Sequence, residues 1–268
     1  MNRAAGRSLV VAVGLVVTAC APASSPAPTT PTAATTPTAG SLPAIPSEAR
    51  ILLDFDGADA LLVAGSRAVA RSQVIAGAQL SVVGSWDGTH ALGFPAVSDA
   101  AEPPGLAVVV QGAAGSLPSP GDADFSYGAD VVLDATTTTD LDNGDNVLQR
   151  GLASDASQFK LQVDNGRPSC TVMGTGGRLI AKARQPLAAA AWFRLRCDRT
   201  GDQLTLTVAP VAGGEPETVS AAGTVGSVSF VDGLPLSIGR KVAPDALPIL
   251  TQPDQFNGSI DNVWATLP

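Results

Sequence analysis

Between Asn146 and Ala209 the chain repeats apolar and polar residues with a period of two, in short segments separated by turn residues, and this constrains its fold more than any other feature. Phe159, Leu161 and Val163 fall on one side while Lys160 and Gln162 fall on the other. Phe193, Leu195 and Cys197 repeat the pattern against Trp192, Arg194 and Arg196, and Leu204, Leu206 and Val208 follow after the turn Arg199-Thr200-Gly201-Asp202. Half-buried strands have this period, so the stretch reads as an antiparallel meander. Composition agrees: the chain has four glutamates and three lysines against 28 glycines and 21 prolines, few strong helix formers and many residues suited to strands and turns.

Further strands are expected at Ile51 to Phe55, Ala78 to Val83, Leu106 to Gln111, Phe125 to Leu133, Thr218 to Ala221, Val225 to Val231 and Leu234 to Gly239. Residues 60 to 75 read equally as a strand pair or a short helix. The chain closes on Gln255 to Trp264. About twelve to fourteen strands at this spacing, with no long helix, predict an all-β, two-sheet antiparallel sandwich.

The N-terminus is organised differently. Asn2, Arg3 and Arg7 precede an apolar run from Ser8 to Val17, and Val17-Thr18-Ala19-Cys20 places small residues ahead of a cysteine. The run is shorter than the about 20 residues that cross a bilayer, and the order is that of an export signal over residues 1–19. It resembles a bacterial lipoprotein lipobox. That resemblance implies cleavage before Cys20, a diacylglycerol on its thiol and a further acyl chain (palmitate) on its amino group, a stable membrane anchor. Residues 20–46 are almost entirely Ala, Pro, Thr and Ser, so they read as a disordered spacer and residues 47–268 as the folded domain. Removing Arg3 and Arg7 takes the formal charge from -8 to -10. With scattered basic residues, this argues against a nucleic-acid partner.

Two motifs carry a family resemblance. Phe256-x-Gly258-x-Ile260-Asp261-x-Val263 closes the chain, and Trp192-Phe193-Arg194-Leu195-x-Cys197 is followed by Gly201-Asp202-x-Leu204-x-Leu206. Together with Asn146 to Gly151 and Phe159 to Gln162, they resemble the laminin-G-like, concanavalin A-like jelly rolls of actinobacterial surface proteins, over about residues 120–268. The resemblance implies two curved sheets with first and last strands paired. The fold hosts adhesive modules, lectins and hydrolases, so it names no activity.

With Cys20 assigned to lipid, Cys170 and Cys197 remain, and outside the cytoplasm a pair reads first as a disulfide. Between adjacent strands it would close a loop of about 28 residues and contribute roughly 3 to 4 kcal/mol. A zinc site is disfavoured because His90 is the only histidine.

Catalytic patterns are missing. Glycoside hydrolases need two carboxylates about the scissile bond, and neither an E-x-D-x-x-E strand nor any glutamate occurs in the meander. There is no G-x-S-x-G, and Ser157-x-x-Lys160 falls on a turn and a strand rather than a helix start. Calcium is the more serious option. Asp54, Asp56 and Asp59 around Gly57, and Asp140, Asp142, Asn143, Asp145 and Asn146 around Gly144, gather hard oxygen ligands. Asp261 comes near Asp54 and Asp56 if the terminal strands pair, making these three the candidate metal ligands. Turn-forming Asx chemistry explains the same residues without a metal. For a glycan, Trp86 in a loop and Trp192 with outward parity are the candidate stacking residues.

These readings converge on a non-catalytic, lipid-anchored surface domain that binds an envelope protein or glycan. The alternatives are a calcium-dependent carbohydrate-binding lectin and a degenerate glycoside hydrolase.

Overall fold

The computed structural model describes residues 42–57, 61, 63, 68–113, 115–135 and 144–268. The lipobox with Cys20, the spacer up to residue 41, Asp59 and the Asp140-Asp142-Asn143 cluster lie outside the described residues.

The described residues are all-β and form a two-sheet antiparallel sandwich. The strands are β1 (Ile51–Leu53), β2 (Ala68–Ile75), β3 (Ser81–Gly84), β4 (His90–Gly93), β5 (Gly105–Gly112), β6 (Phe125–Leu133), β7 (Asp145–Arg150), β8 (Gln158–Asp164), β9 (Arg167–Gly174), β10 (Gly177–Lys182), β11 (Trp192–Thr200), β12 (Gln203–Pro210), β13 (Glu217–Ala222), β14 (Leu236–Ile238) and β15 (Gly258–Ala265). One sheet runs β13-β12-β11-β6-β15-β4-β3, with β1 also on β15, and the other runs β10-β9-β8-β7-β14-β5-β2. The terminal strands pair as expected, Ile51 opposite Ala265 and Leu53 opposite Val263.

The alternating residues meet between the sheets. Phe159, Leu161 and Val163 of β8, Leu195 and Cys197 of β11 and Leu204 and Leu206 of β12 are all fully buried in one apolar core. Phe125, Tyr127, Phe159 and Phe230 form an aromatic chain with neighbouring ring centroids 5.1–5.7 Å apart. The Tyr127 hydroxyl spans the layers, donating to the Thr171 carbonyl at 2.9 Å.

The stretch from Asn146 to Ala209 is therefore not one meander. β7 to β10 belong to one sheet, and β11 and β12 to the other. The Cys170–Cys197 disulfide is formed, but it joins β9 to β11 across the core rather than neighbouring strands. Two further expectations change. Residues 68–75 form an edge strand, and Val225 to Val231 forms no strand beyond a bridge from Val228 to Gly121. Val225 and Val228 are buried beneath the β9–β10 turn, where Thr175 N–H and Gly176 N–H donate to Ser227 and Val225. Apolar residues at an open end of a sandwich plug it without being in a ladder.

β15 is the hinge of its sheet's layout. Asp261 lies opposite Asp130 and Trp264 opposite Gly128, so one extra residue bulges out at Asn262, whose φ is 47°. On one side of the bulge β15 pairs with β4, and on the other with β1. Trp264 is wholly buried over Gly128, where any Cβ would collide with its ring. The last spacer residues lie on this sheet: Arg194 and Arg196 donate to the Pro43 and Ala44 carbonyls at 3.0 and 3.1 Å.

Candidate functional site

The chain between β14 and β15, residues 239–257, folds back over the face of the second sheet that points away from the core. Val242 and Ala246 pack on Ala107 and Val109 of β5 and form a small apolar cluster of their own. The loop closes on itself: Phe256 N–H donates to Gly239, Lys241 N–H to Pro253, and Ala243 N–H to Leu247, at 2.7 to 3.0 Å. Gly239 has a φ of 78° and lies against the Phe94 ring, so a side chain there has neither backbone nor room. Ala246, Gln252 and Asp254 hold φ of 68°, 50° and 48° without being glycine. Left-handed backbone at such residues costs energy and gathers at binding and catalytic sites.

A cavity of about 330 Å3 lies between this loop and the β4–β5 connection. Its walls include Val97, Pro103, Pro104 and Leu250, and Arg240, Gln255 and Asn257 supply its polar groups. Arg240 is buried; its Nη1 donates to Gln255 Oε1 at 3.2 Å and its Nη2 to the Ile249 carbonyl at 3.1 Å. The guanidinium rests where Gly105 lacks a side chain. Gln255 is tied down in turn, accepting from Leu106 N–H at 2.9 Å and donating to the Gly239 carbonyl at 3.1 Å. Asn257 donates its Nδ2 to the Pro95 carbonyl at 2.7 Å, and its buried Oδ1 has no hydrogen-bond partner among the described residues.

Gln252 also borders a second, polar cavity of about 220 Å3, reached by Gln162, Asp164, Lys241 and Asp254. Asp254 bridges two ammonium groups, Lys160 Nζ at 2.6 Å and Lys241 Nζ at 3.0 Å. Burial lowers the pKa of Lys160, and the Asp254 carboxylate opposes that shift. Asn146 on the neighbouring strand is wholly buried and neither end of its side-chain amide is hydrogen-bonded among the described residues.

The residues singled out from sequence lie elsewhere. Trp86 of the β3–β4 turn donates its indole N–H to Asp130 at 3.1 Å, on the outer face of the first sheet. Asp130 also receives Arg194 through two bonds of 2.7 Å and Asn262 Nδ2 at 3.0 Å. Arg194 lies 5.9 Å from the Trp86 ring centroid. Trp192 is half-buried on β11, opposite Val132. Asp261 accepts from Ser85 Oγ and from Asn262 N–H, and its burial raises its pKa to about 7 against those two bonds. Asp54 and Asp56 share the turn after β1, where Asp56 Oδ1 accepts from His90 N–H at 2.8 Å. Among the described residues no group of three or more His, Cys, Asp or Glu side chains is placed to hold a metal ion.

Arg240, Gln255 and Asn257 were not candidates from sequence. The one available signal was Asn257-Gly258 ahead of the closing strand, and Lys160 and Gln162 carried correct outward parity without any sign of the loop that covers them.

No model of a protein family matches the chain, and no curated protein matches it. Solved structures similar to it include the enzymatically active domain of the bacteriophage CBA120 tailspike protein 2, with 10% identity over 72% of this chain and 28% of that one and a TM-score of 0.47. Domains LG4-5 of the mouse laminin α1 chain match with 17% identity over 74% of this chain and 41% of that one, TM-score 0.40. A carbohydrate-binding module from Bacillus subtilis matches with 14% identity over 70% of this chain and 91% of that one, TM-score 0.35. This chain thus spans little more than a quarter of the tailspike domain.

Proposed function

We propose that this chain is a non-catalytic binding module of the bacterial cell surface, held at the membrane by lipid on Cys20, whose ligand is an envelope glycan or protein. One observation carries the binding part: the cavity of about 330 Å3 between residues 239–257 and the β4–β5 connection, with apolar walls and a few fixed polar groups. Small-ligand sites have this make-up, with a volume from roughly 300 Å3 upward and few convergent polar groups. The disulfide supports a place outside the cytoplasm, where oxidised cysteines persist. The apolar run ending at Cys20 supports the anchor.

Retention of the full chain on isolated envelope material, measured with and without a calcium chelator, tests the binding reading. Saturable retention is expected, and sensitivity to the chelator marks the calcium-dependent lectin alternative. A chain that nothing in the envelope retains is not a binding module. The anchor is tested separately by Cys20→Ala or globomycin, either of which should release the protein or leave its signal uncut; unchanged membrane localisation under both removes lipidation from the account.

A further inference from the structure

We propose that the outer face of the first sheet, along Arg194 and Arg196, is a docking strip for an extended, uncharged, proline-bearing peptide of a partner protein, kept closed in the free chain by its own residues Leu42 to Pro46. The two guanidiniums are divided alike. Arg194 places Nε and Nη2 on Asp130 and keeps Nη1 for the Pro43 carbonyl at 3.0 Å. Arg196 places Nε and Nη2 on Asp198 and keeps Nη1 for the Ala44 carbonyl at 3.1 Å. Each positive charge is thus matched by a carboxylate of the sheet itself, and what remains is a donor for a neutral acceptor. An anionic segment would also face the Asp130 and Asp198 carboxylates behind those donors.

Both acceptors are backbone carbonyls, so the strip reads an extended backbone rather than a side chain. A proline-bearing segment suits it, because the polyproline II form is preset, has no internal hydrogen bonds and leaves its carbonyls free. Aromatic surface, the usual companion of this mode, is at hand: Arg194 lies 5.9 Å from the Trp86 ring centroid, and Trp192 is the next outward residue of β11 in the direction that Ala44 and then Pro43 take. The resident segment is separable. Leu42, Pro43, Ile45 and Pro46 are half-buried, but residues 42–46 join no ladder, and among the described residues no backbone–backbone hydrogen bond ties 42–45 to the sheet. Ser47 and Glu48 form an exposed turn, and the backbone first bonds to β15 at Arg50 N–H, which donates to the Ala265 carbonyl at 2.9 Å. A segment held through side chains alone opens without disturbing the sheets.

The test is fluorescence anisotropy of a labelled, end-capped peptide of residues 37–47, titrated with the full chain and with its Leu42→Asp/Ile45→Asp variant, which sets two charges where the resident segment packs. The opened variant should bind the peptide saturably, and wild type more weakly by about tenfold or more, since a tethered competitor acts at roughly millimolar effective concentration. Adding Arg196→Ala to the opened variant should weaken binding by about tenfold, the loss of one charge-assisted hydrogen bond. Should the aspartate pair lose its melting transition, Pro43→Gly/Pro46→Gly replaces it, loosening the segment by chain entropy alone. No saturable binding to a folded opened variant, equal binding by wild type, or binding untouched by Arg196→Ala overturns the proposal. A wild-type chain that dimerises and is dissociated by the peptide names a second copy as the occupant and overturns it too.

Discussion

Asp261 is a carboxyl group set where water does not reach, beside the carboxylates of Asp130 and Asp87, and its pKa is raised to about 7. Burial is the main cause, with those neighbours adding to it. An acid with a folded pKa above its unfolded value binds its proton more tightly when folded. Stability contributed by this group is thus present below about pH 4 and is lost as pH rises toward 7. Asp261→Asn should flatten that decline and raise the melting temperature at pH 7.5 relative to wild type. Melting curves from pH 4 to 8 that run parallel for both proteins would remove Asp261 as the cause. Two arginines on the same sheet make a second contrast. Arg194 sits in a buried pair with Asp130 at 2.7 Å, whereas Arg196 holds a more exposed Asp198 at 2.8 Å. Arg194→Ala strands a buried carboxylate and should cost about 3 to 5 kcal/mol, while Arg196→Ala should cost under about 1 kcal/mol. Denaturant unfolding of the two variants checks the order, and equal losses would contradict it.

At the scale of strands and loops, the alternation of Phe159, Leu161 and Val163 against Lys160 and Gln162 reported the side correctly and the surroundings incorrectly. A period of two says which residues share a face. It does not say what lands on the other face, and Lys160 is 8% exposed because residues 239–257 fold over it. The cavity was illegible for the same reason, since it is made where two distant connections meet. Parity is also silent on sheet membership, which is why Cys170 and Cys197 were legible as a pair but not as a link between layers. The physical consequence is testable. Replacing both cysteines by alanine frees a loop between residues 27 apart in sequence and should cost about 3 to 4 kcal/mol, read as a fall in the denaturant midpoint. A double variant as stable as the parent would show that the core holds β9 against β11 unaided.

For the molecule as a whole, pairing of the first and last strands was implied by the closing Phe256-x-Gly258-x-Ile260-Asp261-x-Val263 motif, and the structure carries it. Ile51 stands opposite Ala265, so the polypeptide arrives at the same pole from which it leaves. Asn257 and its cavity sit before Gly258, at the other extremity of β15. The intervening extended backbone spans about 25 Å at roughly 3.4 Å per residue. Ahead of β1 the polypeptide doubles back across the outer face, Ala44 beside Arg196 and then Pro43 beside Arg194, so its leading residues travel from the pole shared by the two termini toward the pole where the recess opens.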